Sequence, residues 1–153
     1  MKFPFHTYLV LPLMAAVLAT PAWAQEDVTS FTTTSTYADV AADLEDAIIN
    51  RGYVVDYHGL IGDMLKRTAA DVGSDVQLYK DAEFFQFCSA VMSRATMEAD
   101  IANIAYCPYV LFVYEAAATP GTVTVGFRRM PDGPARDEVN ALLEEIAQEA
   151  TGQ

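Results

Sequence analysis

Hydrophobic and polar residues change their spacing several times along this chain, and each spacing predicts a type of secondary structure. From Thr36 to Gly52, apolar residues recur every three or four positions, which is typical of a helix with one buried side. Tyr109 to Tyr114 is continuously apolar and predicts a central strand covered on both faces. Thr122 to Arg129 alternates apolar and polar residues and predicts a strand with one wetter face. Pro120-Gly121 predicts a type II turn, so the two strands should form an antiparallel hairpin.

Two of the predicted helices have recognisable ends. Thr36 and Asp39 fit a capping box in which Asp replaces the usual Glu, and Gly52 suits the left-handed residue that follows a helix. Pro134 suits the first turn of a helix near the end of the chain, whose apolar residues share one side. That apolar stripe consists of Val139, Leu142, Leu143, Ile146 and Ala150.

The remaining segments predict further strands and helices. An edge strand is expected within Gln25–Ser35, further strands at Tyr53–Tyr57, Val76–Tyr79 and Phe84–Cys88, and a turn at Lys80-Asp81-Ala82. Helices are expected over Leu60–Val72, where Gly73 is the stop, and from Ser89 to a point before Pro108. The resulting order β-α-β-α-β-β-α-β-β-α favours an α+β domain with a mainly antiparallel sheet over a purely parallel one.

The amino-terminal segment is typical of a secretory signal peptide. Lys2 supplies a positive charge, an apolar run extends from Tyr8 to Ala19, and Ala22-Trp23-Ala24 fits a cleavage site. The run is shorter than the ~20 apolar residues that span a bilayer. We therefore expect residues 1–24 to be removed and residues 25–153 to form a single periplasmic domain, with no membrane span after cleavage.

The charge balance makes nucleic acid an unlikely class of partner. The chain has 21 acidic and 9 basic residues, which gives a formal net charge of −12. Proteins that bind a phosphate backbone or an anionic membrane need clustered Lys and Arg. Arg128, Arg129 and Tyr57 are instead candidates to line a groove for a small anionic ligand.

Two segments of the chain resemble motifs of a known family. These segments are Phe87-Cys-Ser-Ala90, followed by a helix that ends near Met97–Asp100, and Cys107-Pro-Tyr-Val-Leu-Phe-Val-Tyr-Glu115. They resemble the Phe-Gly-Asn-Pro-like turn and the Leu-Pro-x-x-x-Leu-Val-Tyr-Glu-like strand of the domain of unknown function 302 family. The resemblance extends from about Phe31 to Pro131, and this chain departs from it by having Cys88 where Gly is usual.

The resemblance implies a fold and no activity. Members of the family look like small α+β domains, similar in architecture to the TATA-binding-protein fold, with a curved sheet that carries helices on one face. The family has no established activity, so the resemblance assigns no catalytic residue.

Cys88 and Cys107 are the two cysteines of the chain, and an even count in an exported protein favours a disulfide. Cys88 ends a predicted strand, Cys107 begins another, and the helix between them should return the chain close to its start. On the loop-entropy model, this bond would stabilise the fold by roughly 3 kcal/mol.

The same thiols have a second use as soft ligands. His58 is the only histidine after the predicted signal peptide, and two thiolates with an imidazole or a thioether suit copper(I) or zinc. Haem is a further candidate, although the sequence has no CxxC, HxxxH or CxxCH motif. A third use, with Cys88 redox-active or paired with His58 as a nucleophile, would need a lowered thiol pKa.

These observations lead to two hypotheses. In the first, the protein is a non-enzymatic periplasmic domain that binds a small ligand or a protein partner, needs no cofactor, and is held together by the Cys88–Cys107 disulfide. In the alternative, it is a metal, haem or thiol-redox accessory protein that uses Cys88, Cys107 and His58. The sequence has no GxSxG, phosphate-binding loop or HExxH motif, so catalytic residues stay unassigned, as does the formation of a homo-oligomer.

We predict that the exported protein begins at Gln25 and is two hydrogen atoms lighter than its dithiol form, because each thiol loses one hydrogen in a disulfide. Intact mass with and without thiol alkylation measures both properties, and the reduced protein is the control. Two alkylatable thiols together with stoichiometric copper, zinc or iron would contradict the disulfide and favour the metal alternative.

Overall fold

Residues 27–153, the part of the chain that the computed structural model describes, form five strands and four α-helices. The strands are β1 (Val28–Thr33), β2 (Val55–Gly59), β3 (Tyr79–Phe87), β4 (Tyr109–Ala116) and β5 (Val123–Arg128). The helices are α1 (Tyr37–Ile49), α2 (Ile61–Thr68), α3 (Ala90–Ala99) and α4 (Pro134–Thr151), with 3-10 turns at Ala70–Val72 and Ile101–Tyr106. The predicted signal peptide lies outside the described residues. None of the helices within residues 27–153 is long and apolar enough to cross a membrane.

The strands form one antiparallel sheet in the order β1-β5-β4-β3-β2. This arrangement confirms the α+β class, the edge position of the first strand and the central position of Tyr109–Tyr114. The β4–β5 hairpin is confirmed as well. Its turn has Gly121 at φ +83°, and the Thr122 amide donates to the Thr119 carbonyl at 3.2 Å, as a type II turn requires.

Alternate side chains of the sheet form the hydrophobic core, on the side that we call the core face. Helices α1 and α4 pack against this face and against each other. From the sheet come buried residues of three strands: Phe85, Phe87, Tyr109, Leu111, Val113, Val123, Val125 and Phe127. The two helices contribute the apolar stripes that the sequence predicts, Val40, Leu44 and Ile48 from α1 and Val139, Leu143 and Ile146 from α4.

The other side of the sheet, which we call the open face, consists of the intervening residues of the five strands. By register these are Val28, Ser30, Thr32, Tyr57, Gly59, Tyr79, Ala82, Phe84, Gln86, Val110, Phe112, Tyr114, Ala116, Thr124, Gly126 and Arg128. Val110, Phe112 and Tyr114 are only half-buried, so the prediction that β4 is covered on both faces is wrong for this side. Its apolar residues lie against one another, as in the stacked rings of Phe112 and Tyr114, whose centroids are 6.0 Å apart.

Two phenylalanine rings on the open face lie across glycines of the neighbouring strands. A Cβ atom added to Gly126 would come within 2.5 Å of the Thr29 carbonyl oxygen and 2.6 Å of Phe112 Cζ, and one added to Gly59 would collide with the ring of Phe84. Each glycine is directly opposite its phenylalanine in the sheet register. The two rings therefore occupy the space that side chains at positions 59 and 126 would need.

The start of β3 differs from the prediction. Val76–Tyr79 is not a separate strand and Lys80-Asp81-Ala82 is not a turn, because β3 runs without interruption from Tyr79 to Phe87. The register shifts between Tyr79 and Asp81, and Asp81 pairs with Glu115 of β4. Pairing with β4 thus keeps these polar residues in the sheet. The chain consequently has one strand fewer than the sequence predicts. Strand β2 also begins two residues later than predicted, at Val55.

The predicted helix ends are confirmed. Thr36 Oγ1 accepts a hydrogen bond from the Asp39 amide at 3.3 Å and donates to Asp39 Oδ2 at 2.6 Å. Gly52 has φ +81°, and Pro134 is the first residue of α4. The helix expected over Leu60–Val72 is divided into α2 and a 3-10 turn, which ends at Gly73 with φ +70° as predicted.

We predict that Leu44→Ala lowers the free energy of unfolding by roughly 2–5 kcal/mol, because it leaves a cavity between α1 and the sheet. Urea denaturation followed by circular dichroism measures the change. Ile101→Ala, at a site where the side chain is 84% exposed, is the control and should change stability by less than about 0.5 kcal/mol. Equal losses in the two variants would contradict this assignment of the core.

Candidate ligand-binding site

The structure brings Cys88 and Cys107 together at one end of the sheet. Phe87 pairs with Tyr109, so the residues just beyond the ends of β3 and β4 are neighbours in space. The two Sγ atoms are 2.9 Å apart, which is longer than the ~2.05 Å of a disulfide bond, so the residues are thiols in contact. The disulfide therefore stays a prediction. The peptide between Cys107 and Pro108 is cis.

The surroundings of Cys88 do not activate its thiol. Burial, followed by the hydrogen bond and charge interaction with Cys107, raises the pKa of the Cys88 thiol to about 12. A nucleophilic or metal-binding cysteine acts as the thiolate, which forms readily only where the pKa is lowered. At neutral pH, Cys88 in this arrangement is the protonated thiol.

His58 contacts a carboxylate rather than the sulfur atoms. Its Nε2 atom lies 2.5 Å from Glu83 Oε2, and its ring stacks on Phe85 with centroids 4.4 Å apart. The Tyr37 hydroxyl also hydrogen bonds to Glu83, and burial together with this carboxylate raises the tyrosine pKa above its usual range. The Tyr37 hydroxyl therefore stays protonated and donates a hydrogen bond to the Glu83 carboxylate. Within residues 27–153, no group of three or more His, Cys, Asp or Glu side chains is arranged to hold a metal ion.

Sequence reasoning did not find Glu83 as the partner of His58. The two residues are 25 positions apart, and they meet because His58 pairs with Phe85, two positions from Glu83 on the same face of β3. A carboxylate within the apolar segment Ala82–Phe87 was the available signal. Its partner could not be named before the strand register was known.

A cavity of about 420 Å³ lies beside Cys107, where residues 105–109 meet the ends of four strands. Cys88 does not line it, and Cys107 does. Most of its walls are apolar, with polar groups supplied by Arg128 and Gln86. The complete lining is Val28, Gln86, Ala105, Tyr106, Cys107, Pro108, Tyr109, Val110, Phe112, Arg128, Met130 and Leu143.

Arg128 is the cation of this cavity. It is exposed, and it forms no ion pair with any residue in the described range 27–153. Arg129, by contrast, is paired with Asp132 at 3.2 Å, and Tyr57 lies on the open face without lining the cavity. Of the three residues suggested for an anion groove, the structure therefore brings only Arg128 to the cavity.

A second polar cluster lies at the opposite end of β4. The buried carboxylate of Glu115 accepts hydrogen bonds from the Gly121 amide at 2.8 Å and from Lys80 Nζ at 3.0 and 3.2 Å. The amide of Gly121 first, and then Lys80, hold the pKa of this carboxyl below its usual range. Because Glu115 ties the hairpin turn to β3, we assign it a structural role.

Comparison with solved structures gives a match that concerns the fold. The crystal structure of an uncharacterized conserved DUF302 protein from Bacillus stearothermophilus superposes with a TM-score of 0.62, covering 84% of this chain and 98% of the other. The two sequences are 16% identical, so the match shows a shared fold. No protein-family model matches the chain, and no curated protein matches it. The α+β fold implied by the family resemblance is therefore confirmed.

We predict that Glu115→Gln lowers stability at neutral pH and weakens the loss of stability on acidification. A carboxyl whose pKa is lowered by folding stabilises the protein above its ordinary pKa of about 4.3, and this contribution is lost as the pH falls through the lowered value. Urea denaturation at about pH 7 and at about pH 3 measures the difference in the free energy of unfolding. Glu145→Gln, on the exposed side of α4, is the control. Identical pH dependence in both variants would contradict the prediction.

Proposed function

We propose that this protein is a non-enzymatic, exported domain that binds a small apolar molecule carrying a carboxylate, in the cavity beside Cys107. The single observation that carries the proposal is that Arg128, in the wall of a mainly apolar cavity, has no ion-pair partner among residues 27–153.

The cavity has the size and composition of a small-molecule site. Its volume of about 420 Å³ falls within the ~300–1,000 Å³ of typical ligand pockets. Such pockets are mainly apolar and contain a few polar groups that orient the ligand. Arg128 and Gln86 are the polar side chains here, and Val28, Val110 and Pro108 supply apolar surface.

The charge of the protein explains why Arg128 matters for the choice of ligand. A chain with a formal net charge of −12 repels anions, but in physiological salt exposed charges act over only about 8 Å. Within that distance a guanidinium with free donors attracts a carboxylate, and its planar fork can form two parallel hydrogen bonds.

Phe112 adds a preference for a flat ligand. It lines the cavity, and its ring lies across Gly126 instead of standing upright on the sheet. Aromatic rings associate well in offset-stacked arrangements. An aromatic carboxylate could therefore stack on Phe112 while its carboxylate bonds to Arg128.

A disulfide between Cys88 and Cys107 belongs to this proposal. The predicted signal peptide would deliver the protein to an oxidising compartment, and the sulfur atoms are already in contact at 2.9 Å. Because Cys107 and Pro108 line the cavity, the bond would hold this part of the wall against the end of β3.

The metal, haem and thiol-redox alternative has less support. His58 lies against Glu83 instead of joining the thiols, and the raised pKa of Cys88 opposes formation of its thiolate. Copper, zinc and haem therefore have no proposed ligand set beyond the two sulfur atoms. Nucleic acid is not expected as a partner with so acidic a surface.

We predict that the full-length protein, produced through its own export signal, binds the apolar aromatic anion 8-anilinonaphthalene-1-sulfonate, and that Arg128→Gln weakens this binding roughly tenfold or more. Hydrogen bonds to a charged group contribute about 1.5–3 kcal/mol, which corresponds to that factor. Fluorescence titration measures the dissociation constant.

Arg94→Gln is the matched control, because it removes the same charge from an exposed site on α3. It should leave the dissociation constant within about twofold of the wild-type value, since exposed charges far from the site are screened by salt. Absence of binding, or equal weakening by both variants, would contradict the proposed site.

A further inference from the structure

We infer that the open face of the sheet is an interface between two copies of this chain in solution. The inference goes beyond the proposed function. Val28, Gln86, Val110, Phe112 and Arg128 belong both to this face and to the wall of the cavity, so a second copy would cover the cavity and compete with a bound ligand. The inference rests on the charge, the shape and the extent of this face.

Acidic residues are scarce on the open face within residues 27–153. Asp56, exposed at the irregularity between Val55 and Tyr57, is the one strand carboxylate that the register assigns to neither face. None of the residues that the strand register places on it is Asp or Glu, although the whole chain has 21 acidic residues. Arg128 is its one charged residue, near the end of β5. By contrast, Glu83 and Glu115 of the same strands belong to the core face, where Lys80, Tyr37 and His58 contact them.

The open face is also apolar at its centre. Phe84 and Phe112 pair directly across β3 and β4, and the ring of Tyr57 lies 5.8 Å from that of Phe84. Tyr57 is 56% exposed and Val28 is 49% exposed, so apolar surface reaches both edge strands. A continuous exposed apolar surface of this kind marks an interaction site.

The glycines make this surface flat. Phe112 lies across Gly126, and Phe84 lies across Gly59, so the two largest side chains at its centre cover their neighbouring strands. A flat surface can face an identical copy without a matching groove or ridge. That is what a two-fold interface between copies requires, because each surface must complement itself.

Charge distinguishes a second copy from an unrelated partner. A cationic protein would gain most by binding where the acidic side chains lie, on the helices and at the strand ends. An acidic partner, in contrast, is repelled by the acidic side chains on the rest of this protein's surface, and least at the open face. A second copy of this chain carries the same excess of acidic residues, so the open face is where two copies can approach each other closely.

The area of the face suits a weak dimer. With strands ~4.8 Å apart and same-face residues ~6.6 Å apart along them, five strands and three rows cover roughly 24 by 20 Å. Two copies would then bury on the order of 1,000 Å² together, near the lower limit for a specific interface. We therefore expect a monomer–dimer equilibrium that depends on protein concentration.

The experiment is sedimentation velocity of the full-length exported protein over about a hundredfold range of concentration, because mass action shifts a weak dimer over such a range. Tyr57→Glu and Ser30→Glu each place a carboxylate at an exposed position of the open face, on opposite edge strands. Val91→Glu is the control, since it adds the same charge at an 80% exposed position of α3. Circular dichroism melting confirms that each variant is folded.

We expect the wild type and Val91→Glu to dimerise alike, and both open-face variants to raise the dimer dissociation constant at least about tenfold, since like charges in an interface are strongly unfavourable. A wild type that stays monomeric throughout overturns the inference and leaves the face to a different partner. Dimerisation that survives in both open-face variants, or that Val91→Glu weakens equally, overturns it too. The Arg128 titration is made at a protein concentration where the monomer predominates, and sedimentation is measured without added anion, so failure of ligand binding and failure of dimerisation are distinguishable.

Discussion

The fold depends on how β4 shares its side chains between the two faces of the sheet. Tyr109, Leu111 and Val113 point into the core beneath the helices, while the residues between them form the centre of the open face. Side chains alternate strictly along a strand. A slip of one residue in the pairing between β4 and a neighbouring strand would therefore move the core side chains of one strand to the open face and its open-face side chains into the core. The long pairing with β3 on one side and the hairpin with β5 on the other fix the register, and thereby the core, the cavity and the open face together.

Local signals in the sequence were sufficient for part of this structure. The capping residues of α1 and the turn at Pro120-Gly121 each act within a few positions, and the structure has them as predicted. The prediction of a turn at the start of β3 was wrong because that segment is determined by residues far away in the sequence. Lys80 and Asp81 have the composition of a turn, yet pairing with β4 and the hydrogen bonds between Lys80 and Glu115 keep them in a strand. Pairing with β4, about 35 positions away in the sequence, therefore determines the structure of this segment.

In the candidate site, too, some features could be predicted from the sequence and others depended on contacts between distant residues. Proximity of Cys88 and Cys107 could be inferred from their positions beside two strands, whereas the pairing of His58 with Glu83 depended on an unknown register. The cavity was beyond sequence reasoning, because its walls come from the ends of four strands and the segment before β4. Arg128 was recognised as a candidate from its charge alone. Its lack of a carboxylate partner among residues 27–153 became visible only with the side chains in place.

The glycine–phenylalanine pairs of the open face have a consequence for how related proteins can diverge. Gly59 with Phe84 and Gly126 with Phe112 each share one volume, so neither member can change freely while the other is kept. A larger residue at Gly59 requires a smaller one at position 84, and one at Gly126 requires both a smaller residue at position 112 and a shift of the Thr29 carbonyl. A ring placed across a strand glycine is a recurrent way to stabilise such a site. Among distant relatives these positions should therefore vary as pairs. Paired variation of this kind would identify the same flat sheet surface where overall identity is as low as 16%.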